Sequence, residues 1–101
     1  MAKCRITVLK VTFNKELAEA YSQDWLGPCS VFTEGQVFLL DDPWQMPKDF
    51  CSTAWSDIFK NVQTICLGGS FPSTQKEGVN ISCCVDGVRP VIFKIERIEN
   101  N

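Results

Sequence analysis

Residues 79–98 read Val-Asn-Ile-Ser-Cys-Cys-Val-Asp-Gly-Val-Arg-Pro-Val-Ile-Phe-Lys-Ile-Glu-Arg-Ile. Two runs rich in β-branched residues flank Asp86-Gly87, a pair favoured in tight hairpin turns because both residues tolerate positive φ. The pattern predicts strands at 79–85 and 89–98 folded back on one another as a C-terminal β-hairpin, about 79–98. Pro90 has no N–H to give a ladder, so the second strand is expected to begin at an edge or a bulge. An antiparallel pair at this end of the chain points away from a parallel βαβ repeat and toward an α+β domain.

Upstream of the hairpin, Ala54, Trp55, Ile58, Phe59, Val62, Ile65 and Cys66 recur at helical spacing. They predict one principal helix over about 53–67, capped by Ser52 and stopped by Gly68-Gly69. Residues 4–13 alternate with many β-branched side chains and predict the first strand. Asn14 is a natural N-cap for a short helix over about 15–22, which must be docked to persist. Asp24 to Ser30 is a turn centred on Gly27-Pro28, and Phe32 to Leu40 resumes strand character around a Glu34-Gly35 turn. Two prolines and three aspartates make 41–49 irregular. The resulting order, β-α-β-α-β-β, fits a small mixed or antiparallel sheet, or a partly open barrel, carrying one principal helix.

At 101 residues the chain is one domain, spanning 1–101, and 45% hydrophobic residues supply a packed core without a staple. Ten basic and twelve acidic residues are interspersed, with no basic stripe for a phosphate backbone, so nucleic acid is not an expected partner. No apolar run is long enough to suggest a membrane partner, and the N-terminus leads directly into a strand pattern, which predicts a cytoplasmic protein. In that compartment the six cysteines, Cys4, Cys29, Cys51, Cys66, Cys83 and Cys84, are expected as free thiols or ligands.

Thiol chemistry is the leading theme of this composition, because the chain has six cysteines and no histidine. There is no CxxC pair, no phosphate-binding glycine loop and no imidazole base, so no catalytic signature assembles from spacing alone. Cys51 precedes the principal helix, where free backbone N–H groups and the helix dipole favour an anion, and it is the best candidate for a reactive thiolate. The competing reading makes Phe50-Cys51 a hydrophobic staple at the helix entry. Cys29 follows a Gly-Pro turn and is a candidate to meet Cys51 or Cys84. Strand alternation puts Cys83 with Val79, Ile81 and Val85 as a buried, inert side chain, and Cys84 with Asn80 and Ser82 on the polar, accessible face. Cys66 on the helix stripe and Cys4 at the first strand are expected as separate inert core thiols.

A metal site would be built from Cys29, Cys51, Cys83 and Cys84, whose softness suits zinc or an iron–sulfur cluster, but paired short spacings are lacking and no cofactor is the favoured expectation. Asp86 and Arg89 flank the hairpin turn as an ion pair or a small-anion site. Together with Cys51 they are the catalytic candidates if the chain is an enzyme. Trp44, in the irregular proline-containing segment, is a candidate for a pocket or interface.

The segments ITVLK at 6–10, GPC at 27–29, F-x-x-G-x-x-F at 32–38, FCSTAWSDIF at 50–59 and CCVDGVRPVIFKIER at 83–97 resemble a family of small cysteine-containing proteins encoded mainly in anaerobic bacteria and archaea. The CC-x-DG-x-RPV-x-FK-x-ER ending is the most specific part. The resemblance implies no particular activity. It marks Cys29, Cys51, Cys83 and Cys84 as motif positions, and an anaerobic setting suits both persistent free thiols and oxygen-sensitive clusters. The expected function is an accessory or binding domain with a thiol-lined site at Cys29, Cys51, Cys84 and Trp44 for a small molecule, metal or protein partner. A thiol-dependent enzyme or redox protein using Cys51 is the second reading, and a structural module forming a homo-oligomer is the third.

Overall fold

The computed structural model describes residues 3–98. Within them the chain runs β1 (Cys4–Val11), α1 (Lys15–Tyr21), β2 (Val37–Leu40), α2 (Ser52–Cys66), β3 (Val79–Cys83) and β4 (Val91–Arg97). The four strands form one open sheet in the order β2-β1-β4-β3, every neighbouring pair antiparallel. This is an α+β fold with α2 as its principal helix.

Alternation selects the inner face. Cys4, Ile6 and Val8 of β1 and Val91, Phe93 and Ile95 of β4 are buried side by side. The register shifts between Val8 and Lys10, a bulge that returns Val11 to its place opposite Val91. Across this face lies α2, burying Ala54, Ile58, Val62 and Ile65 at helical spacing. Each full burial of an Ile or Val side chain stabilises by about 1.5–3 kcal/mol. Four rings close one end of the core: Phe32 stands edge-on to Phe38, Phe50 and Phe93, with centroids 6.0, 5.0 and 5.1 Å away.

The helix stops as its Gly-Gly signal predicts. Gly68 takes φ 101°, a conformation that disfavours any side chain, and Gly68 N–H and Gly69 N–H donate to the carbonyls of Ile65 and Thr64 at 3.3 and 2.8 Å. Arg97 of β4 adds a cation to this negative helix end, donating from one guanidinium nitrogen to Ile65 O at 2.7 Å and Gly69 O at 3.0 Å.

Beside this cap the structure corrects the reading of Cys4 and Cys66 as separate thiols: they are joined in a disulfide, with Cα atoms 5.6 Å apart. The first residue of β1 and the last of α2 meet because the helix lies along the inner face of the strand. Four free cysteines are left: Cys29, Cys51, Cys83 and Cys84.

The expected face of β3 is also reversed. Asn80 and Ser82 point inward, while Ile81 and Cys83 are exposed, so Cys83 is not a core residue. The cause is Asn61 on α2, whose side-chain amide donates to Asn80 Oδ1 at 3.1 Å and Ser82 Oγ at 2.7 Å. Partnered in this way, two polar residues face the helix without the cost of burying unsatisfied groups.

Two local expectations change as well. The Asp86-Gly87 turn is not a two-residue hairpin but part of a loop over 84–90. Pro90 falls in that loop, outside β4, where its carbonyl accepts from Thr12 N–H at 3.1 Å. Asn14 is the N-cap of α1, its carbonyl accepting from Ala18 N–H at 2.9 Å, but its side chain makes no capping bond and its amide donates instead to Gly87 O at 2.6 Å. Among the described residues α1 packs against no strand and not against α2, and only Ala18 of it is buried. On the sheet's outer face no helix or strand is packed among the described residues, and Val37, Leu39 and Ile81 are exposed on it. No helix is long and apolar enough to cross a membrane among the described residues.

Candidate functional site

A pocket of about 340 Å³ opens at the N-terminal end of α2, and its wall carries Cys29, Cys51 and Cys84 together with Asp86 and Arg89. Three separate stretches of chain deliver these side chains. Each is fixed by its neighbours.

The first stretch is 29–32. Phe32, 5% exposed, is locked among the aromatic rings, and this anchor holds Cys29, Ser30 and Val31 along the pocket. The second is the entry to α2. Asp49 adopts φ 67°, a left-handed turn that Asp tolerates better than most residues, and the next residue, Phe50, is buried in the ring cluster. Cys51 then takes extended backbone angles (φ −74°, ψ 124°) and is itself the N-cap, one position before the expected cap Ser52. Its carbonyl accepts the first helical bond, from Trp55 N–H at 2.9 Å, while its side chain makes no capping bond. The staple reading and the site reading of Phe50-Cys51 describe different residues: the ring packs inward and the half-buried thiol lines the pocket.

The third stretch is the 84–90 loop. Cys84 holds its base, with Cys84 N–H donating to Val91 O at 3.2 Å and Val91 N–H donating to Cys84 Sγ at 3.4 Å. Asp86 accepts from Val88 N–H at 3.0 Å and from both Arg89 N–H and Arg89 Nε at 2.9 Å. Two outside groups pin the loop: Asp57 of α2 accepts from Val85 N–H at 2.8 Å, and Asn14 N–H donates to Val88 O at 2.8 Å. The Asp86–Arg89 ion pair is therefore part of a built loop, and Arg89 is presented to the pocket by it.

The electrostatics follow from those bonds. The backbone N–H of Arg89 is the main cause that holds the Asp86 carboxyl below the usual aspartate range, helped by the Arg89 side chain and Val88 N–H against a smaller burial penalty. A group with a depressed folded pKa contributes stability that is present above its unfolded value and is lost as pH falls through the folded one. Asp86→Asn is therefore expected to destabilise the protein at neutral pH by about 1 kcal/mol, kept small by solvent exposure. The gap between wild type and variant should shrink as pH drops below the ordinary aspartate range. Thermal melts at pH 7 and pH 3 check this, and a gap that stays constant would show that Asp86 is not a charged loop acceptor.

The sequence-predicted residues divide clearly. Cys29, Cys51, Cys84, Asp86 and Arg89 line one pocket. Trp44 is 60% exposed, stands against Phe59 at 6.0 Å between ring centroids, and does not belong to the pocket lining. Cys83 sits on the exposed face of β3 and is also absent from that lining. Among the described residues no three His, Cys, Asp or Glu side chains are grouped so as to hold a metal ion. The reading of Cys83 as a fourth ligand fails for a local reason: adjacent residues near a strand end point to opposite sides, so Cys83 and Cys84 diverge.

Sequence reasoning missed the apolar floor and lip of the pocket, formed by Ala54, Val91, Val31 and Val85. It also missed Asp57 and Asn14 as loop anchors, because such long-range bonds leave no spacing signal.

No protein-family profile, curated protein or solved structure matches this chain. The functional reading therefore rests on the chemistry of the pocket.

Proposed function

We propose that this chain is a small binding domain whose thiol-lined pocket takes a compact ligand with an apolar body and an anionic or thiol-directed end. The observation that carries this reading is the meeting of Cys29, Cys51 and Cys84 from three chain segments on one concavity of about 340 Å³. That volume is at the small end of ligand pockets, which suits a small molecule better than a peptide. Apolar side chains supply most of the floor, and specificity then falls to a few polar groups. The N-terminus of α2 is one: its first turn contains no acidic residue, so its backbone N–H groups favour an anion. Arg89 is the other, since only its Nε is engaged by Asp86 and the end of the fork is left for a carboxylate.

A panel of compact carboxylates, screened by thermal shift and then calorimetry, tests this reading. Binders are expected to lose about tenfold in affinity with Arg89→Gln, the loss of one charge-assisted contact. They should lose binding altogether with Val31→Trp, which fills the half-open lip without touching the core. Binding that survives Val31→Trp would place the site elsewhere and end this proposal.

A thiol-dependent enzyme using Cys51 is a second reading, favoured by the position of Cys51 as the N-cap of a fifteen-residue helix beside Arg89. Alkylation of Cys51 at neutral pH much faster than that of Cys29 and Cys84 would move the account to this alternative.

A further inference from the structure

A helix of seven residues with one buried side chain is far below the roughly 12–15 residues at which isolated helices become even marginally stable. Yet α1 is ordered and turns an apolar side outward. Leu17 and Tyr21 are four residues apart, hence stacked on one helix face, and Trp25 stands in the turn that follows the helix. Tyr21 is 85% exposed and Trp25 79%, left open by the described residues. Three large apolar side chains exposed within one short segment, with Leu17 and Tyr21 on a common helix face, are the composition of an interaction surface.

The complementary surface is on the same protein. The outer face of the sheet carries Val37 and Leu39 of β2 and Leu9 of β1, all exposed, with no element packed on them among the described residues. The outer face is mixed, its exposed apolar side chains flanked by charged ones, and such a face can take a second layer. Charge fits as well. The α1 arm holds Glu16, Glu19 and Asp24 against Lys15, a net negative surface. The outer face holds Arg5, Lys10 and Lys94 against Glu96, a net positive one; Lys10 stands opposite Ile92, and Glu96 is bridged by Arg5 at 2.9 Å and Lys94 at 3.3 Å.

We infer that the α1 arm of one molecule docks on the outer sheet face of a second copy of this chain, reciprocally, in a two-fold dimer. Leu17 and Tyr21 cover Leu39 and Val37, and the acidic residues of the arm lie over the basic residues of the face. A two-fold axis requires each chain to give and receive the same contact, which a chain carrying both complementary surfaces satisfies. The arrangement also accounts for how so short a helix is held: its packing comes from the partner.

Sedimentation equilibrium on the full chain tests this. The expected mass is twice the 11.4 kDa of one chain. Tyr21→Glu and Leu39→Glu should each give a folded monomer whose circular dichroism changes by no more than the helical signal of the seven-residue α1, because both residues are exposed in the single chain. Mixing the two variants should restore a weaker dimer, since one arm and one face stay intact between them. A wild-type monomer at all concentrations would overturn the inference. So would a dimer broken only by Leu39→Glu, which would be sheet on sheet, or only by Tyr21→Glu, which would be arm on arm, or two variants that stay monomeric when mixed.

Discussion

Replacing Cys4 and Cys66 together by alanine is expected to lower the stability of the protein by about 4 kcal/mol, from the chain entropy released when a loop of this length is no longer closed. The two positions are 62 residues apart, so the bond restrains well over half of the unfolded chain. It also joins two elements that hold the inner layer: β1, which pairs with both β2 and β4, and the C-terminal end of α2. Guanidinium unfolding checks this, with the midpoint of the wild type falling on addition of reductant toward that of the double variant. The variant itself should not respond to reductant. A wild-type midpoint indifferent to reductant would show that the two sulfurs are not bonded, and that the core holds this corner by packing alone.

Phe93→Ala is expected to cost a similar amount, about 3–5 kcal/mol. Phe93 is fully buried in the middle of the sheet and touches the rings of Phe32 and Phe50 with centroids 5.1 and 5.5 Å away. Its neighbours are held by β4, the 29–32 segment and the entry to α2, so they cannot collapse into the gap freely. The same rings anchor two of the three pocket walls. The substitution should therefore loosen Cys29 and Cys51, raising their alkylation rates more than that of Cys83, which stands on the exposed face of β3. Urea unfolding gives the stability change and peptide mass mapping gives the rates. A loss below about 1 kcal/mol, or equal changes at all thiols, would mean that the ring cluster does not support the pocket.

What was legible in the chain was its strongest periodicity. The apolar positions of α2 recur at the helical period over four turns, and Val91, Phe93 and Ile95 of β4 fall at every second position, so both elements and the α+β class could be read directly. The inner face of β3 could not. Val79 and Ile81 look like core, and only the amide of Asn61, from a distant helix, makes Asn80 and Ser82 the inward residues. The Asp86-Gly87 signal located a turn but not its length, because the loop is built by Asp86 accepting three hydrogen bonds and by anchors from Asn14 and Asp57. Of the cysteines, Cys51 could be placed at a helix start from local rules, and Cys84 on the face opposite Cys83. The Cys4–Cys66 bond carries no local signal at all, since it depends on how α2 lies across β1. For the same reason the common pocket of Cys29, Cys51 and Cys84 was open to suggestion from turn and cap positions, whereas its apolar lining emerges only once the chain is folded.

The alkylation rates of the four free cysteines, measured by peptide mass mapping with and without a saturating carboxylate from the panel, test the thiol-lined site most directly. If Cys29, Cys51 and Cys84 form one ligand site, their rates fall together several-fold on binding while that of Cys83 is unchanged. Protection of Cys83 to the same degree, or of none of the three pocket thiols by a compound that demonstrably binds, would contradict the account.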